Sequence, residues 1–140
     1  YGVSPCRVPM GNKALRLDVD DLLERSDLTS RADTQAGALA YADQRSLEIA
    51  MTIAGDPSVV LLDEPTAGMS REETTRAIER IKQMTTGRTL VIVEHDMGVV
   101  FSLADRISVL VRGHVIATGI PEDIRNDPKV QEAYLGADHA

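Results

Sequence analysis

Residues 59–70 read VVLLDEPTAGMS. The stretch starts as a run of β-branched and leucine side chains, reaches two adjacent carboxylates, Asp63 and Glu64, and is then interrupted by Pro65. A continuous apolar run bounded by turn residues is typical of a strand covered on both faces of a parallel sheet. The predicted strand, residues 58–63, therefore ends on two negative charges, at the end of a strand where open α/β sheets bind their ligands.

The residues before this strand predict two helices joined by a polar connection. One helix is predicted to begin at Asp18 and to cover residues 18–28, and the second covers residues 39–55. Residues 1–17 contain prolines and glycines without a clear period and are predicted to be loop or linker. The helical spacing of the second segment predicts a buried stripe of Leu47, Ala50, Met51 and Ala54.

The residues after the strand predict further alternation of helix and strand. Ser70 and Glu73 form a capping box, which predicts a helix that ends near Gly87. Its predicted buried stripe is Ala77, Ile78, Ile81 and Met84. The remaining predicted elements are a buried strand (89–94), a short helix (97–103), a third strand (107–111), a hairpin turn at 112–114 into residues 114–119, and two short terminal helices (121–124 and 129–134). This order predicts a parallel α/β sheet.

Composition limits the class of protein. The 140 residues suffice for one domain, and 43% hydrophobic and 26% charged residues are typical of a globular chain. The net charge of −7, with three tyrosines, one phenylalanine and no tryptophan, argues against a nucleic-acid surface. The apolar runs are too short to cross a bilayer, and Cys6 is the single cysteine, so no internal disulfide is expected. Because Tyr1 is not an initiator, we expect a piece of a longer protein.

Two of the predicted strands end on residues capable of chemistry. Asp63 and Glu64 follow the first, and Glu94, His95 and Asp96 follow the second. Neighbouring strand ends would bring Asp63, Glu64 and His95 into one region. There an acid can hold Mg²⁺, a second carboxylate can orient or deprotonate an attacking water, and a histidine can hydrogen-bond a transferring phosphoryl group.

Structural alternatives exist for each of these features. Two acids at a strand end can be the solvated edge of a sheet, a single histidine is often structural, and the Ser70 capping box is readily explained as a helix cap. Metal binding by histidines is not indicated, because no ligand spacing relates His95, His114 and His139.

The order of the motifs is more specific than any one of them. LLDEP followed by TAGMS, and then VIVEHDM, resembles the ATP-binding subunits of ABC transporters. Three stretches look most like the ATPases of branched-chain amino acid importers, and next most like those of urea-type importers: AGMS, EHDM and the tail over residues 113–136. The resemblance covers about residues 18–137.

The resemblance implies an α/β fold, namely the C-terminal part of a P-loop NTPase (RecA-like) core with a mostly parallel sheet and flanking helices, plus the end of the ABC helical subdomain. The implied divisions are loop or linker (1–17), helical signature subdomain (18–56) and ATPase core with terminal helices (57–140).

The resemblance also implies roles for individual residues. Asp63 corresponds to the Mg²⁺-holding aspartate, Glu64 to the catalytic base, and His95 to the histidine that contacts the γ-phosphate. The loop that crosses to the partner subunit corresponds to Ala67, Gly68, Met69 and Ser70. The signature motif corresponds to Ala40, Tyr41, Ala42, Asp43 and Gln44.

The ligands and partners follow from the same resemblance. ATP and Mg²⁺ are the expected ligands. A second ATP-binding subunit and the membrane permease subunits are the expected partners, with an extracellular or periplasmic binding protein acting indirectly and no nucleic acid. The expected location is cytoplasmic, on the inner face of the cell membrane through the permease subunits.

The chain departs from the family pattern in two places. No G-x-x-x-x-G-K-[ST] phosphate loop occurs in the 140 residues, so we expect the C-terminal half of the ATPase domain, inactive by itself. The signature stretch 39–44 reads LAYADQ, where Ala40 lacks a serine hydroxyl and Ala42 adds a Cβ at a close approach. Both changes are expected to weaken charge stabilisation at the γ-phosphate. Two other functions stay open: an assembly or dimerisation module without catalysis, and a non-transport ATPase of the same superfamily.

Overall fold

The computed structural model describes the backbone of residues 13–137 and the side chains of residues 18–133. Chain contacts divide it into two compact units, one ending at Ile92 and the other starting at Val93. The predicted boundary between residues 56 and 57 is a different one and stays a prediction. None of the helices within residues 13–137 has the length and apolar character needed to cross a membrane.

The first unit contains three helices and a small parallel sheet. Its elements are α1 (Lys13–Arg25), α2 (Tyr41–Ile53), β1 (Val59–Asp63), α3 (Arg71–Met84) and β2 (Thr89–Val93), with 3₁₀ turns at Thr29–Arg31 and Ala36–Ala38; the last residue of β2 opens the second unit. Its buried apolar residues are Leu28, Ile49, Ala50, Ile53, Val60, Ala77, Ile81 and Met84.

The first helix begins earlier than the sequence predicts. It starts at Lys13 rather than Asp18, so the loop predicted over residues 1–17 is wrong for residues 13–17, while residues 1–12 lie outside the described chain. The sequence of residues 13–17, KALRL, consists of strong helix formers, and this propensity extends the helix through the polar start that Asp18 offers.

The buried face of α2 is offset from the predicted stripe. Its buried residues are Ser46, Ile49, Ala50 and Ile53. Met51 is 62% exposed and Ala54 is exposed, so both were wrongly assigned to the core. Ile49 and Ile53, one turn apart, supply the larger β-branched surface, and packing follows that surface.

The sheet of β1 and β2 is covered on one side only within the described residues. Val60 is 1% exposed, whereas Val59 and Leu61 are 48% and 69% exposed and Val91 is 47% exposed. The expectation of strands buried on both faces is therefore wrong for this chain.

The helix after the first strand forms as predicted. Ser70 is the N-cap of α3, with a complete capping box to Glu73. Ala77, Ile81 and Met84 are buried along it, and Ile78 is half-buried. The helix thus packs against the core through the predicted face.

The second unit is a hairpin surrounded by short helices: α4 (Met97–Leu103), β3 (Ile107–Val111), β4 (His114–Gly119), α5 (Pro121–Asn126) and α6 (Pro128–Ala137). The predicted hairpin turn is confirmed, with positive φ at Arg112 (47°) and Gly113 (81°). The strand predicted over 107–111 is present as β3, but among the described residues it pairs antiparallel with β4 in a separate sheet and does not join β1 and β2 as a third parallel strand. Its core consists of Val100, Ile107, Ile124 and Val130.

Candidate functional site

The two adjacent carboxylates lie at the carboxyl end of β1. Asp63 is the last residue of the strand, and both it and Glu64 are exposed. Glu64 has a positive φ of 43°, which is uncommon for a residue other than glycine and costs on the order of 1 kcal/mol. Its carbonyl accepts a hydrogen bond from Ala67 N at 3.1 Å, and this bond closes the turn. The chain thus leaves the strand through a strained turn directly at the predicted base.

Asp63 lines a shallow cavity of about 170 Å³ on the first unit. Arg45 and Glu48 of α2 line the same cavity, together with Ile49, Thr52, Leu61, Leu62 and Pro65. In the described chain no group of three or more histidine, cysteine, aspartate or glutamate side chains could hold a metal by itself. One exposed carboxylate fits the ordinary requirement of Mg²⁺ beside a nucleotide, because that ion keeps waters and phosphate oxygens as its other ligands.

The loop after the carboxylates is short and well defined. Gly68 has a φ of 76°, and Met69 N donates to Thr66 O at 3.2 Å. Ser70 N and Ser70 Oγ donate to Glu73 Oε2 at 2.8 and 2.7 Å, and these bonds hold the pKa of the Glu73 carboxyl below its usual value, the side-chain bond having the larger effect. The capping role of Ser70 is therefore confirmed, and its role in a partner-crossing loop stays a prediction.

The predicted signature residues form the beginning of α2. Ala40 is the N-cap, with extended backbone and no side-chain cap bond, because it has no hydroxyl to offer. Its carbonyl accepts from Asp43 N and Gln44 N at 3.0 and 2.9 Å. The Gln44 amide donates to Leu39 O at 3.1 Å. The first N–H groups of this helix therefore have no side-chain acceptor at the N-cap position.

Tyr41 connects this helix start to the loop. Its hydroxyl donates to Ala67 O at 3.1 Å and lies 3.1 Å from Arg45 Nε, which donates to it. The structure thus joins the start of the predicted signature segment to the beginning of the predicted partner-crossing loop. Only the one-turn spacing of Tyr41 and Arg45 is visible in the sequence; the contact with Ala67, 26 residues away, is not.

Arg80 of α3 is a second residue that sequence reasoning missed. Its guanidinium donates to Ser46 Oγ at 2.9 Å and to Asp27 at 2.7 Å, and it pairs with Asp43 at 3.4 Å. Arg31 lies 4.0 Å from the same Asp43. Arg80, Arg31 and the two aspartates line an open cavity of about 300 Å³, together with Ala40 and Ala42. Two arginines thus bind the predicted signature segment through Asp43.

His95 belongs to the second unit. It follows β2 and is exposed, and the neighbouring Asp96 caps α4 by accepting from Gly98 N and Val99 N at 2.7 and 3.3 Å. Asp96 is accordingly a helix cap. The expected proximity of His95 to Asp63 and Glu64 stays a prediction.

Known proteins are similar to this chain over most of its length. A family model described as "Branched-chain amino acid ATP-binding cassette transporter" matches residues 114–140. The high-affinity branched-chain amino acid transport ATP-binding protein LivG of Salmonella typhimurium is 45% identical over 116 residues, which is 81% of this chain and 46% of LivG. The chain belongs to the ATP-binding subunits of ABC transporters and is similar to those of branched-chain amino acid transport. It corresponds to their C-terminal half and spans about half the length of the curated relatives it matches.

Similarity also extends to a protein of an export system and to solved structures. The lipopolysaccharide export system ATP-binding protein LptB of Haemophilus influenzae is 32% identical over 126 residues, covering 86% of this chain and 51% of LptB. The ADP conformation of an ATP-binding cassette of an ABC transporter superposes with a TM-score of 0.77 at 26% identity, covering 89% of this chain and 51% of that one. The predicted fold class, a partial P-loop NTPase α/β core, is confirmed by this likeness.

Proposed function

We propose that the chain is the C-terminal half of the ATP-hydrolysing subunit of an importer for branched-chain or other hydrophobic amino acids. Hydrolysis at the interface of two such subunits would drive transport through membrane permease subunits. A binding protein outside the membrane would deliver the substrate, and the subunit would lie on the cytoplasmic face of the membrane. The observation that carries the proposal is the strand end Asp63-Glu64, whose turn leads into the loop that Tyr41 joins to the start of α2.

The proposed reaction is in-line attack of water on the γ-phosphate of ATP. Glu64, exposed on its strained turn, accepts the proton of the attacking water, and His95 donates a hydrogen bond to the γ-phosphate. Mg²⁺, when bound, neutralises phosphate charge, and Asp63 is the residue that would hold it through a water. The amide groups at the start of α2 face the γ-phosphate held by the partner subunit, where their partial positive charge stabilises the transition state.

The same assignment gives each segment its place in the subunit. Residues 18–56 are the end of the helical signature subdomain, and residues 57–140 are the end of the RecA-like core. Ala67, Gly68, Met69 and Ser70 form the loop that crosses to the partner subunit. Residues 1–17 precede these parts, and α1 occupies their last five positions from Lys13 onward.

The phosphate cradle is the part of the site that the 140 residues do not encode. The chain alone is therefore expected neither to bind MgATP with sub-millimolar affinity nor to hydrolyse it. Isothermal titration of the chain with MgATP tests the binding expectation, and sub-millimolar binding would contradict it.

Mixing the chain with the N-terminal half of LivG tests hydrolysis. We expect ATPase activity only in the mixture, and Glu64→Gln should abolish it. An active mixture that keeps its rate with Glu64→Gln refutes the assignment of the base.

A second candidate function is an assembly module without catalysis. Val59, Leu61 and Val91 expose apolar surface on the sheet, and such surface favours association. A mixture that associates but never hydrolyses ATP would favour this alternative.

A further alternative is an ATPase of a different transport or non-transport system, since LptB is itself an export protein with 32% identity. A growth assay for branched-chain amino acid uptake separates the two ATPase alternatives.

A further inference from the structure

Tyr41 links two segments that the proposed function assigns to ATP binding and hydrolysis. Its phenol reaches from the first residue of α2 to the loop after β1, and its hydroxyl donates to Ala67 O at 3.1 Å across a separation of 26 residues. The residue is 47% exposed, so burial alone does not account for the orientation of its side chain. The contact is a specific polar bridge between helix start and loop.

The hydroxyl is held in this orientation from the helix side. Arg45, one turn along α2, donates from Nε to the Tyr41 oxygen at 3.1 Å and pairs with Glu48 at 2.8 Å. The hydrogen bond to Glu48 has the largest effect on the pKa of Arg45 and the hydrogen bond to Tyr41 the next largest, and both raise it. The Arg45 guanidinium also lies 5.5 Å from the centre of the Tyr41 ring. Because Arg45 occupies an acceptor position of the hydroxyl, the phenolic proton is directed to Ala67 O.

The loop side of the contact is equally constrained. Ala67 N donates to Glu64 O at 3.1 Å, so two consecutive hydrogen bonds connect Tyr41 to the backbone of Glu64. Gly68 follows with φ 76°, and a Cβ built there would lie 3.6 Å from the Tyr41 ring. The ring therefore lies directly against the glycine that turns the loop.

We propose that Tyr41 is a positioning residue that couples the start of α2 to the loop at 66–69 and, through it, to Glu64. The inference rests on the proposed function for the meaning of these segments, but the contact itself belongs to the 140-residue chain. When the start of α2 moves, the loop moves with it, so the amides assigned to one ATP site are coupled to the base assigned to the other. The variant that tests this is Tyr41→Phe, because it removes the hydroxyl and keeps the ring.

The contact is tested on the ¹⁵N-labelled chain by amide hydrogen exchange and chemical shifts. Tyr41→Phe is expected to change the shifts of Ala67 and Gly68 and to speed exchange of the Ala67 and Met69 amides about fivefold, as the loss of one neutral hydrogen bond does. Amides in the middle of α2 should keep their rates. The control Thr86→Val removes an exposed hydroxyl that donates to Lys82 O at the end of α3, in the same unit, and should leave the loop unchanged. Unchanged loop shifts and exchange in Tyr41→Phe would overturn the proposal.

The positioning role has its own measurement in the mixture with the N-terminal half of LivG. Tyr41→Phe should lower kcat about fivefold with little change in KM for MgATP, since the base and loop would be misplaced while the nucleotide contacts persist. A normal kcat together with a loosened loop would overturn the positioning role. Absence of ATPase activity with the unsubstituted chain would contradict the proposed function instead, and the exchange experiment would then decide the contact alone.

Discussion

The guanidinium of Arg80 donates to Ser46 Oγ at 2.9 Å and thereby joins α3 to the buried face of α2. The Arg80 side chain is only 14% exposed and also reaches Asp27 and Asp43. Asp27 has a positive φ of 58°, so the same residue secures an unusual turn after α1. Three segments of the first unit are therefore joined by one side chain.

Arg80→Met should destabilise the chain by about 2 kcal/mol, because it leaves the largely buried Asp43 and Ser46 without their charged donor. Arg80→Lys should recover only part of this loss, since one ammonium cannot match the forked guanidinium. Urea unfolding measures both. The exposed Arg76 on the same helix supplies the matched control, and Arg76→Met should change stability by less than about 0.5 kcal/mol. Equal effects at the two positions would contradict the role of Arg80.

Elements encoded by neighbouring residues could be predicted from the sequence. The strand ending at Asp63, the Ser70 cap, helix 97–103 and the turn at Arg112 and Gly113 depend on signals within a few residues, and the structure contains each of them. The candidate carboxylates were located for the same reason, since they follow directly from the strand end.

Features that depend on distant residues could not be predicted in this way. The Arg80–Asp43 bond joins residues 37 apart, and the Tyr41–Ala67 bond joins residues 26 apart. Charged and hydroxyl side chains of this kind look like ordinary surface residues until packing places their partners. The exposed side of the sheet was also missed, because an apolar run indicates that burial is needed but not whether this chain supplies the covering layer.

The capping box at Ser70 gives a pH-dependent prediction. The pKa of Glu73 is lowered in the folded state, so the carboxylate stabilises the fold above its ordinary pKa of about 4.3, and this contribution is lost as the pH falls through the lowered value. Glu73→Gln should therefore be less stable than the parent chain at pH 7 and equal to it in strong acid. Glu72→Gln, a neighbouring acid in the first turn, is the control for simple charge effects. A stability gap at Glu73 that is independent of pH would refute the prediction.

Ser70→Ala tests the same cap without changing charge. The substitution removes the oxygen that accepts from Glu73 N and should cost about 1 kcal/mol. Its effect should not add to that of Glu73→Gln, because both act on one pair of hydrogen bonds. Full additivity in urea unfolding would show that the two residues act independently.

The start of α2 offers a prediction for stability and activity together. Ala40→Ser supplies the missing N-cap acceptor and should stabilise the chain by about 1 kcal/mol. Ala42→Gly removes a Cβ from the proposed phosphate-facing turn at some cost in helix propensity. In the mixture with the N-terminal half of LivG, the double change should raise ATPase turnover. An unchanged turnover would contradict the view that these two alanines weaken the site.

Leu61 provides the test of the exposed sheet face. It is 69% exposed beside Val59 and Val91, so Leu61→Glu should weaken self-association of the chain by placing charge on the apolar face. Because the side chain is already exposed, the folded monomer should lose less than about 0.5 kcal/mol. Leu110→Glu, at a residue 64% exposed on β3, makes the same change on the second unit and should leave association unaltered. Sedimentation velocity over a range of concentrations distinguishes the two variants, and a chain that is monomeric at every concentration would rule out association through this face.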